Sequence, residues 1–270
     1  MNVYGNPEKH IRPGAPTIRA CARIVMVRRI TRVQSYQVHS EHTGSGEPVV
    51  LLHGLSGSQR WWRYTVPALA REYEVHVLDL VGHGRSRGAR RQPTIPEMAL
   101  LVHDWMQQVG VMRPHLVGHS MGAQISMHIA ADGVPLRSLT LIDAAGLPRP
   151  RSVREVTRLM AGVLPPRAWG APHFIPTIWL DALRAGPRSL VSAGLHLLSD
   201  DVTPLLPRIR VRTLVVWGAL DPLIPLEHGR RIADAIPGAR FVVFPDAAHN
   251  VMCDRPVEFN RLLLDFLADT

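Results

Sequence analysis

The stretch LVGHSMGAQ, residues 116–124, sets an apolar run against a glycine-flanked serine and then a small-residue segment of helical composition. A serine on a sharp strand-to-helix turn needs neighbours two residues away on either side without a Cβ. The chain nearly touches itself there, and the serine adopts a strained backbone. Gly118 and Gly122 stand at those two positions. Such a turn pushes the Ser120 hydroxyl above the strand end. The N-terminus of the next helix brings the backbone N–H of Met121 to the same spot, where it can stabilise a developing oxyanion. The G-x-S-x-G spacing carries this reading only between a strand and a helix, so the surrounding pattern matters.

Working outward, short apolar runs alternate with helical segments. VQSYQVHS (33–40) alternates as an edge strand does, and VVLLHG (49–54) follows the TGSGEP turn. The apolar runs at 74–80, 113–120, 136–145, 211–221 and 239–249 read as strands buried on both faces. Helical candidates fall at 60–71, 96–109, 121–131, 226–235 and 256–268. Strand and helix in alternation predict an α/β fold, a mostly parallel sheet with helices on both faces. From Gly146 to about Ile209 the rhythm breaks into a segment rich in proline and arginine, with Trp169, Phe174 and Trp179 spaced through it. It is too long for a loop and follows a strand end where open α/β sheets place their crevice, which predicts a helical lid. The expected organisation is a basic N-terminal arm at 1–32, a core at 33–145 and 210–270, and a helical cap at 146–209.

Composition narrows the function classes. The net charge of +9 suggests a nucleic-acid partner until it is located: Lys9, Arg12, Arg19, Arg23, Arg28, Arg29 and Arg32 face Glu8 alone, so six of the nine charges belong to the arm. Lys9 is the only lysine beside 30 arginines, as codon bias gives, and no nucleic-acid role is expected of the body. No apolar run approaches the roughly 18 residues of a membrane span, and IVMV is too short for a secretory signal, so a cytoplasmic protein is expected. Cys21 and Cys253 form no metal-ligand or disulfide pattern, and neither a metal nor an organic cofactor is expected.

A hydroxyl becomes a nucleophile when a base takes its proton, and that base needs an orienting carboxylate. Both lie downstream, each just after a strand: Asp221 in VVWGALDPLIP and His249 in FPDAAHNVM. The order Ser120, Asp221, His249 is that of a triad on an α/β-hydrolase sheet. Asp143, at the end of the strand after the serine turn, is a backup for the acid. Asp246 reads as loop packing and His83 as a turn brace. Ser56, Ser58 and Ser86 lack a strand–turn–helix setting. Of Trp61 and Trp62, one is expected in the core and the other against the pocket, joined there by Trp169, Phe174 and Trp179.

Five motifs in register then make the chain resemble the α/β-hydrolase superfamily, in its serine esterase, haloperoxidase-like and C–C hydrolase group, over about residues 33–268. LLHGLSGSQRWW resembles the family's His-Gly oxyanion loop and DLVGHGRS its next loop. GHSMG resembles the nucleophile elbow, GALDPLIP the acid loop and AAHN the histidine loop. The resemblance implies an eight-stranded sheet, a second oxyanion donor in the backbone N–H of Leu55, and a structural role for His53. Serine at the elbow argues against dehalogenases and epoxide hydrolases, which carry aspartate there. Ala123, where relatives often have glycine, is expected to tighten helix packing. The expectation is a serine hydrolase of a small to medium hydrophobic carboxylic ester. C–C bond hydrolysis and acyl transfer are the alternatives on the same triad, and a non-catalytic ligand receptor lies behind them. Neither the natural ester nor the oligomeric state follows from the sequence.

Overall fold

The computed structural model describes residues 25–86, 91–148 and 170–269. Eight strands form one sheet: β1 Val27–Val33, β2 Tyr36–Gly44, β3 Glu47–Leu52, β4 Tyr73–Leu78, β5 His115–His119, β6 Ser138–Ile142, β7 Thr213–Gly218 and β8 Arg240–Phe244. Their spatial order is β1-β2-β4-β3-β5-β6-β7-β8. The pairs β1/β2 and β2/β4 are antiparallel and the rest parallel. The expected α/β fold is therefore what the chain adopts.

Period-two alternation explains how one sheet supports two cores. Val50 and Leu52 of β3 join one apolar cluster with α2 (Ile95–Val109), α3 (Met121–Ala131) and α6 (Leu226–Ala235). Val49 and Leu51 of the same strand join the other, with α1 (Val66–Leu69) and α7 (Pro256–Ala268). Every residue of β5, β6 and β7 is buried, so the middle of the sheet has no slack. Helix α2 is fixed at both ends by a Thr94/Glu97 capping box and by Gly110 in the left-handed region.

The N-terminal boundary needs correction. Residues 27–32, assigned to a basic arm, are in β1, so β1 and not the 33–40 segment forms the sheet edge. Only Val33 of β1 is buried, which is why apolar patterning did not reveal the strand. Its arginines serve an edge, where charge discourages pairing with another chain, and Arg28 bonds Glu41 across the register at 2.9 Å. Residues 1–24 lie outside the described residues.

Between β6 and β7 the described chain is helical: α4 (Ile175–Ala185), α5 (Pro187–Ser199) and a single 3₁₀ turn, Leu206–Arg208. The start and end of this insertion meet, since Val202 N–H donates to Gly146 O at 2.9 Å. Among the described residues, no helix is long and apolar enough to cross a membrane.

Candidate active site

The serine turn lies between β5 and α3. Ser120 has φ 52° and ψ −113°, a backbone that L residues avoid, and it is held there by hydrogen bonds on both sides. Its N–H donates to Ile142 O, and its carbonyl accepts from Ala123, Gln124 and Ala145. The two flanking glycines are required by space. A Cβ on Gly118 would sit 2.5 Å from Gly122 O, and one on Gly122 would sit 2.4 Å from Leu52 O. The second contact shows that α3 starts directly against the end of β3. The loop that continues β3 accordingly reaches the serine: a Cβ on Gly54 would lie 3.0 Å from the Ser120 Cβ. Leu55 is next in that loop and Met121 is the first residue of α3, and the first N–H groups of a helix have no intrahelical acceptor.

His53 organises this loop. Leu80 N–H donates to its Nε2 at 3.0 Å, so the ring proton resides on Nδ1, which donates to Gly54 O at 2.8 Å. Burial lowers its pKa to about 4, and a second proton would break the Leu80 bond. His83 is likewise buried, bonds Val81 O through Nδ1 at 3.2 Å, and has its pKa lowered to about 3, first by burial and then by neighbouring His53. It braces its turn, as its glycine-flanked position suggested.

Asp221 and His249 follow β7 and β8. A Cβ on Gly218 would sit 2.1 Å from Ala248 O, so the two loops pack backbone to backbone. His249 Nδ1–H donates to Asp221 Oδ2 at 2.7 Å, and Asp221 Oδ1 accepts from Leu223 and Ile224 N–H at 2.7 and 3.0 Å. The Asp221 side chain is fully buried. Asp143 is spent differently: its Oδ1 accepts from Gly218 N–H at 2.8 Å. Burial, reinforced by the Asp221 carboxylate, pushes its pKa well above the carboxylate range. It ties β6 to β7 and leaves the histidine to Asp221.

Three groups that sequence reasoning passed over fix these loops. His119, inside the serine motif, donates through Nε2 to His249 O at 2.7 Å, which ties the serine turn to the histidine loop. Asp254 accepts from Ala248 N–H at 2.8 Å and from Ala171 N–H at 2.7 Å. Asp181 of α4 is buried, accepts from Ser58 Oγ at 2.8 Å and pairs with Arg60. His119 had a positional signal in its motif; Asp254 and Asp181 had none.

The aromatic candidates divide. Trp62 is in the core, and Trp61, 4% exposed, packs against His119 and edge-on against buried Phe174. Trp179 is 56% exposed, and Trp169 lies outside the described residues. Asp246, expected as loop packing, is instead exposed and near Arg255. Ala123 is fully buried. Cys253 is buried and burial pushes its thiol up, so it supplies no thiolate nucleophile. His119, Asp143 and His249 each bring one ligand-type atom within 4.8 Å of the others. Hydrogen bonds to His249 O, Gly218 N–H and Asp221 occupy His119 Nε2, Asp143 Oδ1 and His249 Nδ1, while His119 Nδ1 and Asp143 Oδ2 are buried without a hydrogen-bond partner among the described residues.

Comparison with known proteins returns the alpha/beta hydrolase family over residues 49–262. A protein named as a carbamate hydrolase, RutD, from Pseudomonas savastanoi pv. phaseolicola is 30% identical, spanning 86% of this chain and 98% of its own. A 2-hydroxy-6-oxo-6-phenylhexa-2,4-dienoate hydrolase from Burkholderia cepacia is 27% identical over 88% of this chain and 93% of its own. Among solved structures, a thermophilic esterase from Thermogutta terrifontis matches with a TM-score of 0.76 at 27% identity, over 92% of this chain and 99% of its own.

Proposed function

Since the chain belongs to the alpha/beta hydrolase family, matched over residues 49–262, we propose that it is a serine hydrolase cleaving a carboxylic ester of small to medium hydrophobic character. Ser120 Oγ attacks the ester carbonyl while His249 Nε2 takes the hydroxyl proton. The tetrahedral oxyanion is held by the N–H groups of Leu55 and Met121. His249 passes the proton to the departing alcohol, and water, deprotonated by the same nitrogen, releases the acid from Ser120. Asp221 fixes the histidine with its proton on Nδ1 and offsets the positive charge the ring acquires. The observation that carries this reading is the 2.7 Å bond from His249 Nδ1 to a buried Asp221 on the loops beside the strained serine turn.

The insertion at 146–209 acts as the lid in this reading. A Cβ on Gly194 of α5 would lie 3.8 Å from Leu55 Cδ2, so α5 passes directly over the oxyanion loop. The test is hydrolysis of p-nitrophenyl esters from acetate to dodecanoate by wild type and Ser120→Ala. Loss of a triad nucleophile costs at least about a thousandfold in kcat, and the chain-length optimum sizes the pocket. A wild type that is inert on esters but cleaves an N-substituted carbamate or a 2-hydroxy-6-oxodienoate, with the same loss in Ser120→Ala, moves the reading to the chemistry of those two relatives. Activity that survives in Ser120→Ala refutes the mechanism.

A further inference from the structure

A cavity of about 740 Å³ lies at the antiparallel end of the sheet, between β1, β2, β4, the turn after β3 and cap helix α4. Leu55, Ser120, Met121 and His249 do not line it. Its size falls within the range of small-molecule sites, roughly 300–1,000 Å³, and its walls carry five guanidinium groups, from Arg28, Arg60, Arg63, Arg85 and Arg184.

The three carboxylates in the same wall are already committed. Glu41 Oε1 accepts from both Arg28 at 2.9 Å and Arg85 at 2.7 Å, one oxygen serving two cations. Asp181 is taken by Ser58 and Arg60. Asp79 is spent on backbone, its two oxygens accepting from Gln59 and Arg85 N–H at 2.8 Å each. Arg63 and Arg184 have no carboxylate within ion-pair distance among the described residues. Arg63 is instead aimed by neutral groups: it donates to Thr177 Oγ1 and His173 O, and its guanidinium stacks over Tyr64 and Phe174 at 4.8 and 5.4 Å. A stacked guanidinium loses little freedom when it meets an anion and keeps its full charge. Met26, Val66, Pro67 and Val77 give the lining an apolar part, beside the polar Ser58 and Gln59. The cavity therefore offers surplus positive charge beside an apolar floor, in a volume far larger than an inorganic anion fills.

We propose that this cavity binds an organic anion, a molecule with an apolar body and one phosphate or carboxylate group, with Arg63 and Arg184 meeting the charge. The site is separate from the hydrolytic one and holds whether or not esters are the substrate.

The probe is 8-anilinonaphthalene-1-sulfonate, titrated by fluorescence into wild type, Arg63→Gln/Arg184→Gln, and Arg240→Gln/Arg261→Gln as a control with the same charge loss on exposed positions outside the cavity. Losing charge-assisted hydrogen bonds to the probe's acid group weakens binding by the first variant at least about tenfold, and the control leaves it unchanged. Competition by 1-naphthyl phosphate and 1-naphthoate identifies which acid group the arginines prefer, and 1-naphthol is the uncharged comparison. Met26→Trp, which fills the cavity from β1's side, decides the matter where the arginine variant does not fold, and it too must weaken the probe. Affinity unchanged in the folded arginine variant, equal weakening in the control, or competition by 1-naphthol as strong as by its anions overturns the proposal.

Discussion

Gly122→Ala tests how closely the serine turn and the oxyanion loop are packed. The added Cβ would sit 2.4 Å from Leu52 O and 2.7 Å from His53 O, against 3.4 Å for the start of ordinary contact. The main chain of β3 must therefore retreat by 3.4 − 2.4 = 1.0 Å relative to α3. Neither side has a flexible atom to give, because both contacts are backbone and Leu52 is fully buried. Gly54 and Leu55 move with β3 while Met121 moves with α3, so the two proposed oxyanion donors separate by a distance on that scale. A misplacement of about 1 Å costs about a hundredfold in rate, and overpacking costs about 1–3 kcal/mol. For a chain of this size that lowers Tm by about 2–4 °C for each kcal/mol. We expect kcat on the best p-nitrophenyl ester to fall by about two orders of magnitude, with Tm, followed by circular dichroism, down by several degrees. Gly194→Ala is the matched control: its Cβ meets only Leu55 Cδ2 at 3.8 Å, so it stabilises by up to about 1 kcal/mol through helix propensity. Gly122→Ala with kcat within about threefold of wild type and an unchanged Tm refutes the close packing from which the magnitude is derived.

Asp181→Ala removes the buried partner of Arg60 and the acceptor of Ser58. Because Arg60 is 38% exposed and can turn to water, the loss is smaller than for a fully buried pair, about 2 kcal/mol in urea unfolding; an unchanged midpoint counts against the contact. Acid sensitivity follows from buried histidines, His53 and His83 among them. His53 and His83 have folded pKa values of about 4 and about 3 against 6.5, so below pH 6.5 the unfolded chain binds more protons than the folded one. Their stabilisation is complete above that value and is lost as pH falls toward 4 and then 3, on the order of 2 kcal/mol for each between pH 7 and pH 5. Urea unfolding at those two pH values should show the drop, and His83→Asn should reduce it; an identical drop in the variant assigns the acid sensitivity elsewhere.

The parts of the molecule that sequence made legible are those where one local requirement dominates. Strands β3, β5, β6 and β7 are buried on both faces and so had to be continuous apolar runs. The helix at Met121–Ala131 follows from the serine turn, and helices at 226–235 and 256–268 follow from their periodicity. β1 was hidden because an edge strand that buries only Val33 has almost no hydrophobic pattern, and its arginines resembled a tail. Asp181 was hidden for another reason: its meaning lies in Ser58 and Arg60, more than 120 residues away. His119 was assigned no role between Gly118 and Ser120, although its bond to His249 O spans 130 residues. Local grammar reveals which residues occupy turns; which loops those turns are fastened to is a property of the tertiary arrangement.

The hydrogen bond from Val202 N–H to Gly146 O gives the insertion a shared doorway. The chain leaves β6 and returns toward β7 through neighbouring points, so the sheet feels the same two anchor residues whatever lies between them. Residues 147–201 are in that sense a cassette. It is nevertheless fastened to the core at particular points: Ala171 N–H reaches Asp254, Asp181 holds Ser58 and Arg60, and Asp200 accepts from Gln124. An exchanged cassette must carry those fastenings as well as the paired ends if the loops beneath it are to keep their places.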